Sequence, residues 1–174
     1  MPASMSHFVT EAQKAAAKGR HADAGYFYEK AAEMTRHQAQ AAKLFKKAFR
    51  SFADAWRKDD AERCLQRALE LMDGNQKAML LVECWKDMVD TIVHFEYDCS
   101  FEWRGETDGS HDSYLNDLSS MQQKATGILR RALEVEGVDR DFLLEEARGE
   151  CRKREAAGGW GSARCWDTIR DAAH

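Results

Sequence analysis

Apolar residues recur every three or four positions along nearly the whole of this chain, the period of a helix with one buried face. The clearest stretch is Ala24–Ala32, AGYFYEKAA: a small residue, Tyr four positions on, then Ala and an apolar neighbour after a further three and four. The same spacing returns in AERCLQRAL (Ala61–Leu69) and ATGILRRAL (Ala125–Leu133). A small residue at a fixed place lets a helix pack closely on its neighbour, so the recurrence predicts a repeated packing unit.

Between these copies the pattern predicts a series of helices. The first runs over Ser6–Lys18, with Ser6 as N-cap, Phe8, Ala12, Ala15 and Ala16 inward, and Gly19 as its stop. The short link Lys18-Gly19-Arg20 then forces a second helix, His21–Arg36, to run antiparallel to it. The third, Gln38–Trp56, places Leu44, Phe45, Ala48, Phe49, Phe52 and Trp56 on one stripe. A fourth is capped by Asp59 or Asp60 and stops at Asp73-Gly74. The fifth, Gln76–Tyr97, is the most apolar, with Leu81, Trp85, Met88, Ile92 and Phe95 on one side. Residues 99–113 are polar and rich in turn formers and read as a loop insertion. The sixth helix spans Tyr114–Glu136. Asp139 caps a seventh, which reaches Ala157 through Phe142, Leu143, Leu144, Ala147 and Cys151. The last starts near Ser162, with Ala163, Trp166 and Ile169 inward and Trp160 at the preceding corner. The fold class expected is all-α: about four antiparallel helical hairpins in a single domain, 1–174.

Composition agrees. Pro2 is the only proline, and Ala, Glu, Lys, Arg, Leu and Gln dominate over β-branched residues. Met1–His7 lacks the charged start of a signal peptide, and no apolar run approaches the ~18 residues of a membrane span, so a cytoplasmic protein without an integral membrane segment is expected. The five cysteines contain no C-x-x-C pair and read as buried free thiols. With the histidines scattered, no metal site and no cofactor are expected. Net charge is −4 but uneven: residues 1–70 hold 13 Lys and Arg against 9 Asp and Glu.

Equivalent alanines at positions 24, 61, 125 and 163, and the match of GRHADAGYFYEKAAEM (Gly19–Met34) at Gly19, Ala24, Tyr28 and Ala31, resemble the tetratricopeptide-repeat superfamily. The long period, the missing prolines, and AKLFKKAFRSFADAW followed by AERCLQRALEL are most similar to its soluble NSF-attachment protein (SNAP-like) branch. The resemblance covers roughly residues 8–98; beyond Phe101 only the spacing persists, and Asp167 stands where the fourth unit should hold Leu or an aromatic. The resemblance implies a right-handed α-solenoid acting as an adaptor or scaffold, with a partner peptide or helix bound in a concave groove. A trafficking role would follow from the SNAP-like branch.

Lys43, Lys46, Lys47 and Arg50 fall at i, i+3, i+4 and i+7 on the third helix. By analogy with the family, Lys43, Lys46 and Arg50 face the groove and would receive an acidic partner segment or terminal carboxylate. Trp103 and Arg104 in the insertion are of the type that anchors interfaces, and a Trp103 folded back on the third hairpin is the equal alternative. Other constellations read as structural. Glu83, Asp87, Asp90 and His94 share one face of the fifth helix but lack the paired E-x-x-H of helical metal sites, and so read as a solvated stripe. Ser110, His111 and Asp112 are adjacent in sequence rather than converging on one atom. GGWGS has neither the Lys nor the preceding strand of a phosphate loop. The reading is therefore non-enzymatic protein binding; the alternative is a nucleic-acid-associated helical module using the basic N-terminal half. Nothing in the sequence sets the oligomeric state.

Overall fold

The computed structural model describes residues 4–102, 110–158 and 162–174, with side chains at 98–102 and 110–112 outside the description. Every regular element among them is a helix: α1 (Met5–Ala17), α2 (His21–Met34), α3 (Gln38–Asp54), α4 (Lys58–Leu71), α5 (Gly74–Glu102), α6 (Ser110–Leu133), α7 (Arg140–Ala156) and α8 (Ser162–Ala173). They form two compact units, Met1–Asp73 and Gly74–His174.

In the first unit each helix packs on the next along the chain, so α3 lies between α2 and α4. Ser4, two residues before the expected cap, starts α1 by accepting the His7 N–H at 3.3 Å. At the far end Gly19 takes φ 70°, Arg20 N–H reaches the Ala15 carbonyl and Gly19 N–H the Ala16 carbonyl, both at 2.9 Å. This closure satisfies carbonyls that the helix end leaves open. Ala12 and Ala15 of α1 and Ala24 and Ala31 of α2 are wholly buried. Phe45 and Phe52 are buried on α3, and Phe52 lies against Gly25 so closely that a Cβ there would sit 2.8 Å from the ring.

The end of α3 departs from expectation. The helix stops at Asp54, Trp56 takes φ 58°, and its side chain is 83% exposed rather than on the buried stripe. The chain reverses here as it does at Gly19: Trp56 N–H reaches Ala53 and Arg57 N–H reaches Phe52, at 3.0 and 2.9 Å. Arg57 occupies the N-cap of α4, so Asp59 and Asp60 lie in its first turn, where they favour the positive end of the helix dipole. Arg63 on α4 donates Nε and Nη2 to the two carboxylate oxygens of Glu29 on α2, at 3.1 and 2.9 Å, and Nη1 to Asp60 at 2.7 Å.

In the second unit α5 packs along α6 and touches α7, while α8 packs on α6 and α7. Trp85, Val82, Val89 and Ile92 bury one side of α5. The Trp85 indole N–H donates to Thr168 Oγ1 of α8 at 3.0 Å, and that hydroxyl donates to the Cys165 carbonyl at 2.7 Å. Both polar groups of this buried pair are thereby satisfied. The expected loop is helical at both ends, since α5 continues to Glu102 and α6 begins at Ser110.

Two expectations about the C-terminal helices are corrected. Ala163 is exposed, and the buried residues of α8 are Cys165, Thr168, Ile169 and Ala172. The spacing expected from Ala163 is met instead from Cys165, with Ile169 four on and Ala172 seven on, all buried. Aligning on alanine misplaced it; a cysteine fills the same space. Nor are all cysteines free: Cys151 of α7 and Cys165 of α8 form a disulfide with Cα atoms 5.7 Å apart. Their spacing of 14 residues carries no motif, and only the facing of two buried small positions brings them together. Phe142 is 54% exposed in the first turn of α7, where Asp139 accepts its N–H at 3.0 Å.

Candidate functional site

The basic residues of α3 do not all share one environment. Lys43, Lys47 and Arg50 are exposed along a line of roughly 10 Å, given a rise of 1.5 Å per residue, while Lys46 is half-buried. The flanks of the helix are held by rings and cations. Lys47 Nζ lies 5.5 Å from the centroid of Tyr28 on α2, and the Arg67 guanidinium of α4 lies 5.3 Å from that of Phe45. Because α2 and α4 cover the apolar side of α3, its remaining face presents a positive line to solvent. Lys43 has no carboxylate partner among the described residues. Such a line attracts carboxylates or phosphates.

Reactive groups are not gathered at this face. The Cys64 thiol, buried on α4, is pushed up to about 12, chiefly by burial and secondly by the Glu29 carboxylate, and stays protonated at neutral pH. The carboxylates of α5 are put to a different use from metal binding. Asp90 accepts from Arg154 Nη1 at 2.7 Å, and Arg154 Nη2 reaches Glu150 at 3.1 Å, so this face ties α5 to α7. Glu83 is half-buried, whereas Asp87 and His94 are exposed. Among the described residues no three His, Cys, Asp or Glu side chains are grouped to hold a metal ion. Trp103 and Arg104 lie outside the described residues, as do Trp160 and the side chains of Ser110, His111 and Asp112. Among the described residues no helix is long and apolar enough to cross a membrane.

A feature that sequence reasoning missed lies in the second unit. Between α6 and α8 runs an open groove of about 550 Å³. Leu115 and Leu118 line one end; Gln122, Thr126 and Gly127 follow along α6; Arg130 closes the far end beside Asp171 of α8. Arg164 of α8 donates Nε to Glu96 and Nη1 to Gln122 Oε1, the latter at 2.9 Å. Arg130 Nη2 donates to the Asp171 carbonyl at 2.6 Å. In the sequence these residues are scattered over two helices, and no local motif marks them. No family model, curated protein or solved structure matches the chain.

Proposed function

We propose that this chain is a non-enzymatic adaptor, a tetratricopeptide- or SNAP-like solenoid whose α3 face receives an acidic segment of a partner protein. One observation carries the reading: Lys43, Lys47 and Arg50 are exposed together on a helix whose apolar side is occupied by α2 and α4. A positive line fixed on a rigid helix offers charge complementarity and faster encounter with an acidic partner, more than raw affinity. The buried small residues Ala24, Ala61 and Ala125, with Cys165 in the fourth copy, support the repeat architecture. The Cys151–Cys165 bond favours an oxidising compartment over the cytoplasm expected from the sequence, because cytosolic thiols are kept reduced.

The test is affinity capture with the wild type and with a Lys43→Glu, Lys47→Glu, Arg50→Glu variant, read by mass spectrometry. A protein partner carrying an acidic segment and lost in the variant is the expected result. Recovery of nucleic acid, with binding that falls steeply with salt, would replace this reading by the nucleic-acid-associated one. Partners bound equally by both proteins would clear α3 of the role.

A further inference from the structure

Trp56 is held where the fold gains little from it. Its side chain is 83% exposed, the most of any large apolar residue among the described residues, and its φ of 58° is a conformation that glycine takes freely and a β-carbon resists. Backbone hydrogen bonds from Trp56 to Ala53 and from Arg57 to Phe52 fix the corner that carries the ring. Strain kept without an internal return points to a use outside the chain. His21 Nδ1 lies 3.9 Å from Asp54 Oδ2, so the corner at Gly19 sits beside the one at Trp56. Together residues 18–23 and 54–60 hold four Lys and Arg and four Asp. An indole within a rim of balanced charge suits a protein contact, because a nucleic acid or an acidic membrane is drawn by an excess of cations.

The groove between α6 and α8 has the complementary chemistry. Its charges are answered within the second unit: Arg164 by Glu96, Arg130 by the Asp171 carbonyl, and Arg170 by Asp167 and Asp171. For an occupant there remain Leu115, 43% exposed beside Leu118, the side-chain oxygens of Ser119 and Gln123, and the flat faces of guanidinium groups whose hydrogen bonds lie in their plane. An indole uses all three, through apolar contact, an acceptor for its N–H, and a cation over its ring.

The two units also differ in charge. Residues 1–73 hold 13 Lys and Arg against 10 Asp and Glu, whereas residues 74–174 hold 13 against 20. Two copies therefore meet most favourably with unlike units together, while the acidic units repel each other. From these observations we infer that the chain binds a second copy of itself, with Trp56 of one copy seated in the α6–α8 groove of the other. Such a contact is heterologous: the surface that inserts differs from the surface that receives, and each copy carries both. The seated ring touches none of the α3 cations.

Sedimentation velocity over about 10 µM to 1 mM tests this. The wild type should show mass above the monomer that rises with concentration. Trp56→Gly and Leu115→Glu should each raise the concentration for half association about tenfold or more. Trp56→Gly relieves the backbone and should melt no lower than the wild type, and Leu115→Met, which keeps the apolar contact, should associate as the wild type does. The decisive sample is a mixture. Trp56→Gly keeps the groove and Leu115→Glu keeps the indole, so together they should form a one-to-one pair at concentrations where each alone is monomeric. The inference is overturned by a wild type that stays monomeric over the whole range, by Trp56→Gly associating as the wild type does, or by a mixture that behaves as its two components do separately. Tyr26→Ser, at a ring 50% exposed on α2, should change nothing; an equal loss there would mean unspecific contact between apolar surfaces and would also overturn it.

Discussion

Trp56 stands between α3 and α4 as Gly19 stands between α1 and α2. Both have positive φ, 58° and 70°, both close the end of a helix, and each precedes an arginine that pairs with an aspartate three residues on. The left-handed conformation costs a residue with a side chain about 1–2 kcal/mol, and the exposed indole recovers little of it by burial. Replacing Trp56 by Gly is therefore expected to stabilise the first unit by about 1 kcal/mol, seen as a higher urea midpoint at unchanged slope.

Gly25 and Gly127, each inside a helix, should respond in opposite directions. Gly25→Ala drives a methyl into the Phe52 ring and is expected to cost about 1–3 kcal/mol. Gly127→Ala meets no neighbour and should gain about 0.5–1 kcal/mol. Chemical denaturation of both variants beside the wild type checks the pair.

Thr168 links α8 to the centre of α5 through its hydroxyl. Thr168→Val keeps the shape but leaves the buried Trp85 N–H without an acceptor, an expected loss of about 1–3 kcal/mol. Thr168→Ser retains the oxygen and should lose less. Denaturation followed by tryptophan fluorescence separates the two.

Acid should weaken the charge cluster at the start of α4. The hydrogen bond from Arg63, joined by the charge of Arg57, holds the Asp60 carboxyl below its ordinary 3.8. The unfolded chain then binds the proton more readily, so the contribution of Asp60 is complete above pH 3.8 and disappears as pH falls through its lower folded value. Asp60→Asn should accordingly be less stable than the wild type near neutral pH, with the gap closing as the pH falls below 3.8. Urea midpoints across that range measure it.

Helix positions were legible in the sequence because they follow from the 3.6-residue period, which survives errors of a residue or two at the ends. The buried alanines of α2, α4 and α6 were legible for the same reason. The expected third helix is two residues too long because an aromatic at i+4 from Phe52 looks like core, while a left-handed residue is ordinarily announced by glycine. The inward face of α8 is expected two residues early in the sequence because alanine stands out there, whereas cysteine does the packing. At the candidate sites, the cations of α3 were readable as a helical stripe, although not the half-burial of Lys46. The groove was invisible, since it depends on which face of α8 meets α6.

The disulfide between α7 and α8 also determines how this molecule can come apart. A protease cutting the backbone between Cys151 and Cys165 would release no fragment: the nicked protein would keep its full mass on a non-reducing gel and separate only when a thiol was added. Since α8 supplies Arg164 to the groove and Thr168 to Trp85, the same thiol would remove the covalent tether holding one wall of that groove in place.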